Sequence, residues 1–409
     1  MTLPTECGCA ENNGLTRRGL LGRGLAAGLA GLTGAGLSSQ LAFAATPHTG
    51  DVLVVLSLRG GFDGLSAVVP IGDPDYYAAR PGIAVPKSRI VAGDAMFGLH
   101  PALAPLAPLW QSGKLAAVHA VGQAAPNRSH FAAMEELERA AAGTSTRTGW
   151  LDRMLGGLGT TGALAGVAVG SAQPHRLLAG PSADLGLRAI DTFTLGGESK
   201  NKMSTALSAL YTGVPAELAA PARSAVDALA AVGALRGITS DVTYPDTELG
   251  RALRDVARLI KGDVGLVAAA VDSGDWDMHE GLGARMHDNL GQLAAALAAF
   301  AADTAGRKVT LLTISEFGRR VAENGSGGLD HGYGNAMFVL GDAVRGGLVH
   351  GAWPGLGTGR LVNGDLAVTT DYRTVIGEIL RKRCGVSATA LAEVFPGVTR
   401  PELGLVRST

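Results

Sequence analysis

The sequence predicts an α/β fold, a three-layer sandwich around a mostly parallel central sheet. Two kinds of pattern predict it. Val52–Leu58 ("VLVVLSL"), the run opening at Leu266 ("LVAAAV") and Val309–Ile314 ("VTLLTI") are short apolar or β-branched stretches. Their near-continuous apolarity suits strands buried on both faces. Between the second and third, Met286 to Ala302 sets Leu290, Leu293, Leu297 and Phe300 on one helical face, as the helix of a βαβ crossover requires.

Taken in order, residues 1–45 form an export segment and stay outside the fold. Thr16, Arg17, Arg18, Gly19, Leu20 and Leu21 make a twin-arginine pattern, followed by a Gly/Ala/Leu region and Ala-Phe-Ala at 42–44. This is an address read by the twin-arginine export machinery. It predicts a periplasmic, cell-surface or extracellular protein. Residues 46–409 make one α/β domain. After the strand at Val52, a Pro-rich stretch leads to a second strand at Lys114 to Val121. Helices follow at Phe131 to Ala142, Trp150 to Leu158, Lys202 to Leu210, Ala220 to Gly233 and Leu249 to Lys261. Residues 149–245 are expected to form a lid-like insertion, with His175 and Arg176 either lining a substrate cleft or, the preferred reading, at its surface. Asp371 caps a last helix, and Arg381, Lys382 and Arg383 suit the C-terminal end of its dipole.

Composition narrows the function. The 409 residues carry a formal net charge of -1, which provides no basic field for nucleic acid. Mean hydropathy is +0.21, yet no uncharged run after the export segment matches the roughly 20 apolar residues of a membrane span. Cys7 and Cys9 precede the signal, so Cys384 stands alone in the mature chain and has no disulfide partner there.

In an open α/β sheet, ligands bind beyond the carboxyl ends of the strands. There the chain places Asp63 in "VLVVLSLRGGFDG", Asp272, Asp275, Asp277 and His279 in "VDSGDWDMH", and Glu316, Asp330 and His331 in "SEFGRRVAENGSGGLDHG". Hard oxygens mixed with imidazoles are the inventory of one or two divalent metals. Ser129, in "QAAPNRSHF", is read in two ways. It is a favoured helix N-cap, or a hydroxyl activated at a helix N-terminus beside a metal. Arg319 is read as a clamp for a phosphate or sulfate group, or as the ion-pair partner of Glu316.

"LRGGFDGLSAVVP", "NRSHF", "DWDMH", "SEFGRRVAENGSGGLDHG" and "DYRTVIGEIL" together resemble the exported bacterial family known as domain of unknown function 1501, over nearly the whole mature chain. That family is similar to the alkaline phosphatase and sulfatase superfamily. The resemblance implies an alkaline-phosphatase-like fold with Asp63 as a metal ligand and Ser129 as nucleophile. Asp277, His279 and His331 would hold one metal. Ser315 and Glu316 stand where that superfamily has an Asp-His pair, and at the nucleophile position a serine, not a cysteine, stands, so nothing there supports a formylglycine.

The leading expectation is an exported metal-dependent hydrolase of phosphate or sulfate esters, with Zn²⁺, Mg²⁺, Ca²⁺ or Mn²⁺ as cofactor. Its substrate would be a small-molecule ester or a glycan or other surface polymer. The alternative is a catalytically silent binding or assembly protein on the same fold. A Ser-His-Asp esterase is the weakest reading, because the chain lacks a G-x-S-x-G elbow.

Overall fold

The computed structural model describes residues 48–173, 175–195, 202–398 and 402–409. The twin-arginine segment lies outside the described residues. The buried apolar runs pair as the strands of one sheet. These are β1 (Val52–Leu58), β4 (Leu115–Gly122), β5 (Gly166–Val169), β6 (Asp184–Leu187), β7 (Ala268–Ser273), β8 (Val309–Ile314) and β9 (Asn335–Gly341), with short β10 (Val349–His350) and β11 (Thr370–Asp371). A separate two-stranded ribbon joins β2 (Val68–Val69) to β3 (Gly98–Leu99).

The sheet order is β10-β4-β9-β8-β1-β7-β5-β6, with β11 also on β4. All pairings are parallel except those of β9, which is antiparallel to both β4 and β8. The predicted mostly parallel sheet is therefore present. Residues 149–245 supply β5 and β6, so part of this stretch extends the sheet itself.

Helices cover both faces. They run as α1 (Gly64–Ala67), α2 (Pro74–Ala79), α3 (Ala107–Gln111), α4 (His130–Arg139), α5 (Trp150–Gly157), α6 (Lys202–Leu210), α7 (Ala216–Leu235), α8 (Glu248–Lys261), α9 (Leu282–Asp303), α10 (Tyr372–Lys382) and α11 (Ala388–Val394). Alternation along the strands divides the core. Val54, Leu56, Val271 and Leu311 pack with Leu290, Leu293, Leu297 and Phe300 of α9. Leu53, Val55, Ala270 and Leu312 pack with Trp150, Ile376, Ile379 and Leu380 from α5 and α10. Three layers result.

The register decides where chemistry can sit. Ser57 of β1 pairs with Asp272 of β7 and with Ile314 of β8, so the loops after these three strands leave one edge together. Because β9 is antiparallel, the loop entering it reaches that same edge. β4 is parallel in sense to β8, so the loop leaving it arrives there too.

A bulge in β4 at His119, next to Ala120 in the left-handed region, turns the His119 ring into the core. Nε2 lies 3.0 Å from the Val68 carbonyl, and the ring packs against Phe97 and Trp353. Burial pushes its pKa down to about 4. Between that value and the unfolded value near 6.5, the unfolded chain takes a proton that the fold refuses. His119 therefore favours folding above pH 6.5, and this contribution is lost as pH falls toward 4, by about 3 kcal/mol. Denaturant titrations of wild type and His119→Gln across this window should show a shallower acid loss in the variant. Parallel curves would refute the assignment.

Candidate metal centre

Four loops deliver the site. The β4–α4 connection brings His130 in the first turn of α4, after Ser129 as N-cap. The loop after β7 brings Asp277 and His279, the loop after β8 brings Glu316 and Arg319, and the approach to β9 brings Asp330 and His331. An antiparallel bridge between Arg319 and His331 ties the last two segments together.

His130, Asp277 and His331 each present a ligand atom, all within 4.8 Å of one another. Nε2 of His331 stands 3.0 Å from Nε2 of His130 and 2.9 Å from Nε2 of His279. Asp277 Oδ1 is 3.1 Å from His279 Nε2 and 3.5 Å from His331 Nε2, and its Oδ2 is 3.6 Å from His130 Nε2.

The opposite ring nitrogens determine what those Nε2 atoms carry. His331 Nδ1 is 2.9 Å from the Arg128 carbonyl, an atom that can only accept, so this nitrogen bears the proton. His130 Nδ1 faces Glu316 Oε1 at 2.8 Å, and His279 Nδ1 faces Asp330 Oδ1 at 3.2 Å. With Nδ1 turned to an acceptor, the lone pair of each ring's neutral form is on Nε2, facing its neighbours. Burial, with Arg319 and the two other imidazoles, lowers the His331 pKa, which keeps that ring neutral near pH 7. Adjacent lone pairs repel. A tetrahedral metal with ligand bonds of 2.0–2.1 Å would put such atoms about 3.3 Å apart, close to the observed spacing. An acceptor behind each ligating imidazole is the usual support of a metal site. His130, Asp277 and His331, whose ligand atoms all lie within 4.8 Å of one another, therefore fit a metal, and His279 flanks them with its Nε2 also 3.5 Å from Arg319 Nη1.

The supporting residues are rigidly held. Glu316, buried, also accepts from the Gly60 amide at 2.9 Å and the Ser315 hydroxyl at 3.1 Å. Gly60 has φ +115°, and a Cβ there would lie 2.6 Å from the Asp277 amide nitrogen, so only glycine permits this approach. Phe317 packs against the rings of His130 and His331, with centroids 4.8 and 4.7 Å away. Burial acts to raise the Asp277 carboxyl, but the hydrogen bond and charge of Arg319 outweigh it and hold the pKa below its ordinary value. The hydrogen bond from His279 does the same for Asp330.

Several expected roles change. Asp63, expected as a ligand, is buried with both oxygens bound by Arg80, at 2.6 and 3.0 Å, and it caps α1 through the Ser66 amide. Arg319 pairs with Asp277 at 2.5 Å, not with Glu316. It also donates to the carbonyls of Gly60, Gly61 and Leu329, so its buried guanidinium is committed to the scaffold and not free as a clamp. Glu316 and Asp330 bear on imidazoles from behind. Ser129 is exposed at the α4 N-terminus and its Oγ accepts from the Ala132 amide at 3.5 Å. Asp272 is bound by Arg59 and His175, and Asp275 by Arg285. His175 is buried instead of lying at the surface.

His130 is the residue that sequence reasoning missed. It stands beside Ser129 in the same loop after a strand, and the strand-end argument applied to the other loops points to it equally.

No curated protein matches the chain. Among solved structures, it is similar to the C-terminal periplasmic domain of EcEptC from Escherichia coli in complex with Zn. The two are 12% identical, the match covers 72% of this chain and 74% of that one, and the TM-score is 0.30. The family model described as "Protein of unknown function (DUF1501)" matches residues 114–378, more than half of the sequence, and the chain belongs to that family.

Proposed function

We propose that this chain is an exported metal-dependent hydrolase of phosphate or sulfate esters, its metal held by His130, Asp277, His279 and His331. The observation that carries the reading is the convergence of three imidazole lone pairs, each fixed by an oxygen acceptor behind it. Imidazole nitrogens with one carboxylate suit Zn²⁺ better than Mg²⁺, Ca²⁺ or Mn²⁺, which prefer oxygen ligands. A metal bound there would polarise an ester oxygen and offset charge that develops on it.

The chain's own groups supply the remainder. Ser129, next to His130 and at a helix N-terminus whose amides favour negative charge, is the candidate nucleophile. Glu316 fixes the tautomer of His130, Arg319 holds Asp277 ionised, and Phe317 keeps water from one side of the rings. The twin-arginine pattern supports action outside the cytoplasm on a small ester or a surface polymer. No helix among the described residues is long and apolar enough to cross a membrane.

A second reading, a silent binding or assembly protein, is favoured by one observation. Asp63 and Arg319, expected as a metal ligand and as a clamp for a phosphate or sulfate group, are both bound within the scaffold. Metal-loaded wild type and Ser129→Ala assayed on aryl phosphates and aryl sulfates separate the two. Hydrolysis should fall by about 100-fold or more in the variant at unchanged metal content. Wild-type protein with full metal and no turnover on either ester class would overturn the hydrolase reading in favour of the second.

A further inference from the structure

Apart from the imidazole cluster, a cleft of about 620 Å³ is lined by Arg236, Arg251, Arg254 and Arg258 together with Asp191 and Asp246. Arg251, Arg254 and Arg258 are three and four residues apart on α8, so their side chains share one face, where like charges repel. Arg236 follows the end of α7 and donates to the carbonyls of Ile190 and Phe193.

Their compensation is incomplete. Buried Arg258 takes Asp191 at 2.9 Å and Asp255 at 3.1 Å. Arg251 pairs with Asp246 at 2.5 Å, but that carboxylate is 94% exposed. Arg254 comes no nearer than 3.8 Å to Asp191 and makes no hydrogen bond among the described residues, and its Nε is buried without a partner. Asp191 thus lies within the field of three guanidiniums, those of Arg258, Arg254 and Arg236. Even with Asp255 included, four arginines meet three aspartates, in a chain whose formal net charge is -1. The hydroxyls of Thr239 and Thr243, also on the wall, have no hydrogen-bond partner among the described residues.

We propose that this cleft binds a tetrahedral oxyanion, a phosphate or sulfate group, between Arg251, Arg254 and the threonine hydroxyls. Guanidinium forks match such oxygens two at a time, and donors converging from a helix and a facing loop suit a tetrahedral group better than a flat carboxylate. The group is either a free ion or an ester on a larger molecule. The site is separate from the metal centre and does not rest on the hydrolase reading.

Calorimetric titration of the full chain at constant ionic strength, with chloride as the background anion, tests this. The probes are inorganic phosphate, inorganic sulfate and a sulfated disaccharide. Binding should weaken at least tenfold in Arg254→Gln and severalfold in Arg251→Gln, and it should persist in His331→Ala, whose metal centre is broken. Should Arg254→Gln fail to fold, half-exposed Arg251 still carries the test. A disaccharide that binds tenfold or more tightly than the free ions identifies an esterified group as the ligand, and equal or weaker binding identifies the free ion. No binding of any probe at millimolar concentration, or affinities unchanged in both arginine variants, would overturn the proposal.

Discussion

Purified protein should carry close to one equivalent of a transition metal, and His331→Ala or His130→Ala should each reduce it to background. The expectation follows from position. His331 Nε2 lies between the other two imidazole nitrogens, at 3.0 and 2.9 Å, so its removal separates the ligands that remain. Glu316→Gln tests the support behind His130. The ring stays, but the anionic acceptor becomes an amide, and affinity should fall by about 10- to 100-fold. Acid should act in the same direction. Metal needs the neutral ring, and the His331 pKa lies below the ordinary imidazole value. Protons therefore compete at this ligand only once pH drops below about 6.5, and affinity falls from there downward. Elemental analysis with competition against a chromogenic chelator measures all of these. Full metal content in both histidine variants would remove the centre.

Much of the fold was legible because its strands are buried on both faces. In β1 and β8 the apolar run stops where the chain reaches the polar edge, so the bounds read from sequence agree with those observed. The reversed direction of β9 was not legible, since a short apolar run looks the same either way round. At the site, strand-end logic placed Asp277, His279, Glu316, Asp330 and His331 at one edge. It could not rank them, because roles there depend on contacts between loops distant in sequence. Glu316 bonds a ring 186 residues away, and the amide of Gly60 comes to the same oxygen from a third loop. Asp272 and Asp63 resembled free ligands because no local pattern announces Arg59 or Arg80 as their partners. Nothing local ranks His130 above its neighbour Ser129, which has a nucleophile's position.

Arg80→Met should destabilise the protein by about 3–5 kcal/mol, a large share of a typical domain's stability. Arg80 and Asp63 are both buried, and the guanidinium also donates to Ser66 Oγ at 3.0 Å and to the carbonyls of Val321 and Arg320 at 2.9 and 3.0 Å. Loss of the cation leaves a carboxylate in the interior with no counter-charge in contact with it. The pH dependence identifies the cause. In the wild type, burial opposes ionisation of Asp63, but Arg80 outweighs it and holds the pKa below the ordinary value. The pair's contribution is thus present above about pH 4 and lost as pH falls further. In the variant, only the Ser66 hydrogen bond and the more distant charge of Arg319 still oppose burial, so the carboxyl pKa rises and the deficit against wild type should shrink as acid neutralises Asp63. The double variant Arg80→Met/Asp63→Leu should recover much of the loss at neutral pH, since an apolar pair needs no counter-ion. A deficit constant from pH 7 to 4 would instead assign the cost to packing against Tyr76, whose ring centroid lies 5.7 Å from the guanidinium carbon. Arg80 also anchors the backbone just past Arg319, which holds Asp277. The same variant should therefore bind metal more weakly although it touches no ligand, and this coupling would be absent if Asp63 were itself a ligand freed by the substitution.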